Sequence, residues 1–341
     1  MPPSFFSMKD NAAWMYAAYE LAHASAQPYR TFAGGLDRMM NHPGSPFAKL
    51  PAASAVRAGW RVIDELTKRY SKPEFGIESV ELDGSQVDVQ EEVGGVWPFC
   101  RLLRFRKGIP SRILDAQPKV LIIAPMSGHY ATLLRGTVRG MLPEHDVYIT
   151  DWTDARSVPT IAGAFDLDDY IEYLMTFFRK LGPSLHVIAV CQPSVPALAA
   201  TALLAQANDP CQPISLTLMA GPVDVAINPT VVNDYANEHD VPWFQRNTVS
   251  LVPFPHPGAL RAVYPGFLQL AGFMGMNADA HVQAYGSYFG KLIEGDADSV
   301  SGHRRFYDEY LAVMDVTAEY FLQTIRRVFQ DRALAKGESD Y

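Results

Sequence analysis

Cysteine is scarce in this chain, with only Cys100, Cys191 and Cys211 among 341 residues. An odd count without metal-ligand spacing excludes a disulfide framework or zinc module and fits a reducing compartment. Positive charge is short as well: 29 Lys and Arg face 37 Asp and Glu, a formal net charge of −8. Phosphate backbones need clustered positive charge, so nucleic acid is not expected as a partner. No apolar run approaches the ~18 residues that span a bilayer. Met1 to Glu20 holds no basic segment followed by an apolar core, so no secretory signal is expected. Phosphate-binding glycine loops, paired Cys/His clusters, internal repeats and low-complexity tracts are also missing, and neither metal nor cofactor is expected. These absences point to a cytoplasmic chain.

What is present begins with a large apolar content, 48% of residues, enough for one sizeable core plus an insertion. Residues 1–75 read as an amino-terminal helical region. Val56, Trp60, Ile63, Leu66 (or Thr67) and Tyr70 recur at helical spacing and predict one buried stripe. Trp14, Met15, Ala18, Leu21 and Ala22 predict an earlier helix, expected to pack on its own domain, with an apolar particle as the alternative. From Val87 to Phe105 the period becomes two, and Gly94-Gly95 predicts the turn of a β-hairpin. Continuous apolar runs follow at Val120–Ala124, Val147–Thr150, Leu185–Val190 and Ile214–Ala220, separated by a helical face over Tyr170–Leu181. Such runs belong to a parallel sheet covered on both faces. Residues 76–222 are therefore expected to form a doubly wound α/β core. Residues 223–341, rich in Pro, Gly and aromatic residues, are expected to form a helical cap. One long amphipathic helix is predicted from Phe306 to Val328, with no later buried strand.

Cys191 carries the chemistry. The run Leu185–Val190 ends at Cys191-Gln192-Pro193, and a small-residue helical stretch follows from Ser194. This strand–nucleophile–helix order is that of the nucleophile elbow in α/β-hydrolases, with cysteine in place of serine. A thiolate attacks a carbonyl well, and the N–H of Gln192 is expected to face the developing oxyanion. The usual glycines two residues either side are replaced by Ala189 and Pro193. A buried structural cysteine at a strand end is the alternative. Cys211-Gln212-Pro213 repeats the tripeptide before a strand instead of after one, which sets Cys211 aside.

The loop Pro125-Met126-Ser127-Gly128-His129-Tyr130 follows the first core strand. Met126 or Ser127 is expected to give the second oxyanion N–H, with Gly128 admitting close approach. His129, Asp151 and Trp152 are candidates for the pocket. For His129 the alternatives run from ester recognition to no direct role, and for Asp151 to a cap of the following segment.

Val190–Pro196 and Ala124–Tyr130, with Tyr148–Trp152 and Tyr307–Leu311, resemble the intracellular polyhydroxyalkanoate (polyhydroxybutyrate) depolymerases over nearly the whole chain. The resemblance implies an α/β-hydrolase fold and hydrolysis of ester bonds in stored polyester at granule surfaces. It makes Cys191 the nucleophile and the Gln192 N–H an oxyanion donor. It also implies an acid and a histidine on segments after the insertion, so that the last strands and those two roles are expected to be missing here. Hydrolysis is then expected to be severely reduced, and strand 214–220 to be an open apolar edge. A polymer synthase-like acyltransferase and a non-catalytic granule-binding protein are the competing expectations. Neither the polymer's side-chain length nor the oligomeric state follows from the sequence.

Overall fold

The computed structural model describes residues 11–42 and 53–341. Residues 1–10 and 43–52 of the expected amino-terminal helical region lie outside the described residues. Helices α1 (Asn11–Asn41) and α2 (Ala53–Thr67) precede strands β1 (Ser79–Leu82), β2 (Ser85–Trp97) and β3 (Cys100–Lys107). The core continues through α3 (Ser111–Leu114), β4 (Lys119–Ile123), α4 (Arg135–Met141), β5 (Asp146–Trp152) and α5 (Leu167–Leu181). It closes with β6 (Leu185–Val190), α6 (Ser194–Gln206) and β7 (Ser215–Met219). Helices α7 (Val231–Glu238) and α8 (Val241–Thr248), strands β8 (Ser250–Leu251) and β9 (Ala262–Tyr264), and α9 (Gly266–Gly275) follow. The chain then forms α10 (Ala278–Glu294), α11 (Ala297–Tyr310), β10 (Val316–Thr317), α12 (Ala318–Gln323) and α13 (Ala333–Lys336).

Seven strands make one sheet in the order β1-β2-β3-β5-β4-β6-β7. Strands β5, β4, β6 and β7 run parallel, and β3 joins β5 antiparallel. Every residue of β5 is buried, and β4 is buried from Val120 to Ile123, as a doubly covered parallel sheet requires. Helix α5 buries Tyr170, Ile171, Leu174, Phe177 and Phe178. Its first turn is closed by a capping box, in which Asp166 accepts from the N–H of Asp169 and Asp169 answers in return. Strand β7 ends the sheet, and its Leu218 and Met219 are exposed.

Four expectations need correction. Gly94-Gly95 is no turn but lies inside β2, at a register shift opposite β3. A Cβ on Gly95 would stand 2.5 Å from the Trp97 ring, so the pair makes room for a bulge and a folded-back indole. The predicted stripe on α2 is not buried as a whole, since Val56, Ile63 and Leu66 are exposed while Ala58 and Glu65 point inward. On α1 likewise, Trp14 and Leu21 face solvent, whereas Tyr16 and Ala33 are buried. The long helix from Phe306 to Val328 is broken after Tyr310, and β10 that follows is buried.

The break has a physical cause. Met314 N–H donates to Gly128 O at 2.7 Å, and Ala155 N–H donates to Asp315 O at 3.0 Å, so this segment is drawn out along the sheet's carboxyl end. Asp315 is buried, accepts from Tyr16 Oη and Gly266 N–H, and lies beside Asp154 and Arg156. Burial, reinforced by Asp154, pushes its carboxyl up to about 7. Between the unfolded carboxyl value near ~4 and about 7, the folded chain keeps a proton that the unfolded chain has lost. The group's contribution is present at low pH and fades as pH rises to about 7. In urea unfolding, the stability lead of wild type over Asp315→Asn is expected to shrink by about 2 kcal/mol between pH 5 and 8. A lead independent of pH would contradict this account.

Candidate active site

Strand β4 connects to β5 on one side and β6 connects to β7 on the other. The chain therefore changes direction between adjacent β4 and β6, and the loops after them part to leave a crevice. Cys191 begins one loop and Pro125–Tyr130 forms the other.

Cys191 has φ +67°, the left-handed region that costs a non-glycine residue about 1–2 kcal/mol. The turn is held by two bonds: Cys191 N–H donates to Met219 O at 2.6 Å, and Ser194 N–H donates to Cys191 O at 3.0 Å. Helix α6 starts at Ser194, so the sulfur sits between a strand end and a helix amino terminus. Cys191 is exposed, Cys211 half-buried and Cys100 buried, and burial pushes the Cys100 thiol up. Among the described residues, the Cys191 thiol has no recorded hydrogen-bond partner.

The missing elbow glycines are offset by a residue from the neighbouring strand. A Cβ on Gly221 would stand 2.0 Å from Ser194 Oγ and 2.9 Å from Cys191 O. Gly221 therefore supplies the space that a glycine within the elbow usually gives. Its only mark in the sequence is its position just after β7, which reads as a strand end.

On the facing loop, Met126 is buried, Ser127 half-buried, and Gly128 has φ +104°. Gln269 lies 3.0 Å from where a Gly128 Cβ would be, so glycine is needed twice over. His129 is buried: its Nε2 lies 3.0 Å from Tyr310 O, and its ring packs against Phe273 and Tyr310. Burial holds it below the usual histidine range, and it fastens this loop to the cap.

Asp151 and Trp152 lie in the interior. Asp151 is buried and paired with Lys72 and with Arg101, the latter at 2.7 Å. Trp152 is buried too, donates from Nε1 to Ala124 O at 2.9 Å, and packs on Tyr170 at 4.3 Å. Both residues are therefore engaged within the fold.

Sequence reasoning missed Tyr320. This residue is buried, stacks on Tyr170 at 5.6 Å, and its hydroxyl has no protein partner. Burial first, with Cys191 adding electrostatically and Thr324 opposing, pushes its hydroxyl well above the usual phenol range. Gln192 Oε1 and Ser194 Oγ are likewise buried without a protein partner. Polar atoms left open beside an exposed thiol suit a ligand with carbonyl and hydroxyl groups. Among the described residues no group of His, Cys, Asp and Glu is placed to hold a metal ion, and no helix is long and apolar enough to cross a membrane. A cavity of about 610 Å³ lies elsewhere, lined by Lys291, Arg304, Arg305 and Asp308 of α10 and α11.

The strand order, the left-handed turn after β6 and the loop facing it define an α/β hydrolase. Residues 220–341 match the family described as PHB de-polymerase C-terminus. Among solved structures, it is similar to a Ser-to-Ala variant of LAE6, an alpha/beta hydrolase enzyme from the metagenome of Lake Arreo, Spain. There the identity is 16%, the TM-score 0.30, and the match covers 61% of this chain and 62% of that one. It is also similar to ester-hydrolase EH1AB1 from the metagenome of Lake Arreo, complexed with a bipyridine phosphonate derivative. That match has 15% identity and a TM-score of 0.31, covering 61% of this chain and 64% of that one. The chain thus spans under two thirds of the length of the structures it matches. No curated protein matches it.

Two outcomes test the site. Iodoacetamide is expected to modify Cys191 in the folded chain, while Cys100 reacts only after denaturation, as read by peptide mass spectrometry. Gly221→Ala is expected to cost about 2 kcal/mol or more in urea unfolding, because the methyl cannot fit without moving Ser194.

Proposed function

We propose that this chain acts on ester bonds of stored polyhydroxybutyrate, with Cys191 as nucleophile, at the surface of a cytoplasmic polyester granule. The observation that carries the reading is an exposed thiol in a left-handed turn at the sheet's switch point, in a chain whose residues 220–341 match the PHB de-polymerase C-terminus family. The Cys191 thiolate attacks the ester carbonyl and forms a tetrahedral oxyanion. The N–H of Gln192 and that of Met126 or Ser127 are the donors for this oxyanion. Collapse expels the alkoxide, which takes up a proton, and leaves a thioester on Cys191. Water then cleaves the thioester, releasing the acid and restoring the thiol. Tyr320 holds a neutral hydroxyl within electrostatic reach of Cys191.

One observation favours a second reading. Because the thiol has no recorded hydrogen-bond partner among the described residues, a chain that holds polyester without turning it over also fits. A single experiment separates them. Wild type and Cys191→Ala are incubated with a soluble 3-hydroxybutyrate oligomer, and free acid and the Cys191 peptide mass are followed. Hydrolysis predicts an acyl adduct on Cys191 and a rate at least about 10³-fold lower in Cys191→Ala. Equal rates and no adduct would reject the nucleophile.

A further inference from the structure

Helix α1 has one docked face and one uncovered face. On the docked face, Tyr16 donates to Asp315, Tyr19 stacks on Phe267 at 4.2 Å, and Arg30 pairs with Asp64 at 3.0 Å. On the other face, Trp14, Leu21 and Phe32 are 67%, 70% and 66% exposed. Tyr29 and Met39 are exposed as well. At 100° per residue, Leu21, Phe32 and Met39 fall within about 20° of Trp14, and Tyr29 within about 60°. The five therefore form one stripe roughly 37 Å long. Ala18, Ser25 and Pro28 lie between them, and no charged residue does among the described side chains. Apolar residues exposed singly mean little, but a continuous uncharged stripe of this length marks an interaction surface.

The stripe's occupant follows from its composition and charge. A coiled-coil partner would need apolar knobs at alternating three- and four-residue steps. Positions 14, 18, 21, 25, 28, 32, 35 and 39 have that spacing, yet hold Ala18, Ser25, Pro28 and Gly35 among the large residues. A second copy of α1 would meet gaps at half of these steps. An anionic lipid surface attracts helices whose polar face is rich in free Lys and Arg. Here Arg30 is already paired with Asp64, and the whole chain carries a net charge of −8. A neutral apolar solid asks for neither knobs nor charge, only for exposed apolar area.

The stripe also sits at a useful end of the molecule. Helix α1 packs against β8, within the cap that bonds to the sheet's carboxyl end through Gly128 and Ala155. Cys191 opens at that same end of the sheet.

We propose that the exposed stripe of α1 is the surface by which the chain adsorbs to solid polyester. This rests on the reading of the substrate as a polyester, and it locates the contact apart from the reacting thiol. The test uses the whole chain, amorphous poly(3-hydroxybutyrate) particles, phosphatidylglycerol vesicles and a soluble 3-hydroxybutyrate oligomer. The variant Trp14→Gln/Leu21→Gln/Phe32→Gln is expected to bind the particles at least ten-fold more weakly. Its rate on the soluble oligomer and its circular dichroism are expected to match wild type. Cys191→Ala is expected to sediment with the particles like wild type, so a failure of the nucleophile assignment shows in the soluble assay and leaves the partition result standing. Equal particle binding by wild type and the triple variant would overturn the proposal. So would wild type staying in the supernatant, stripe-dependent binding to the vesicles that equals binding to the particles, or a wild-type dimer that the triple variant turns into a monomer.

Discussion

Asp154 and Asp315 lie buried side by side with Arg156, and the rest of the molecule is arranged around keeping them satisfied. Two carboxyl groups taken out of water cost several kcal/mol each unless paired or protonated. Here Arg156 meets Asp154 at 2.8 Å, Tyr16 and Gly266 donate to Asp315, and the Asp315 N–H donates to Asp154 at 3.1 Å. Burial raises both carboxyls, and the pair is eased by holding a proton. Each partner comes from a different part of the chain: α1, the segment after β5, the start of α9, and the segment leading to β10. One cluster therefore fixes the amino-terminal helix and the cap onto the sheet. It also sets Met314 against Gly128, and so the loop that faces Cys191.

The elbow shows how strain and space are shared between neighbours. Cys191 is held at positive φ by bonds to Met219 and Ser194, and the room its turn needs comes from Gly221 on the adjoining segment. The topology then does the rest. Reversal of strand order between β4 and β6 puts two loops face to face, one bearing a sulfur and one bearing backbone N–H groups. Fold and site are in this sense one arrangement, since the same crossover that builds the sheet opens the crevice.

Much of the core was legible in the residues because its signal is local. Continuous apolar runs marked β4, β5 and β6, and the apolar face of Tyr170–Leu181 marked α5, since burial on both sides leaves no polar alternation. Cys191 was legible for the same reason, standing where a strand pattern gives way to a helical one. The glycine pair at 94–95 misled because glycine serves both turns and bulges, and only Trp97 folding back decides between them. The face of α2 misled because helical periodicity shows that an apolar stripe exists without showing what lies over it. On α1 and α2 the large apolar residues look outward, while Tyr16, Ala33, Ala58 and Glu65 look inward.

The sequence by itself determined the order of strands and helices in the core, the position of Cys191 in that order, and the scarcity of positive charge. These depend on neighbours a few residues away. Only the tertiary structure decided that His129 fastens a loop, that Asp151 and Trp152 belong to the interior, and that Tyr320 is buried and stacked on Tyr170. It alone broke the helix after Tyr310 to carry Asp315 to Asp154. Such outcomes join residues from 28 to 299 positions apart, as Trp152 with Ala124 and Tyr16 with Asp315 do at the two ends of that range. No local pattern encodes them, because hydrogen bonding and desolvation act through distance in space and not along the chain.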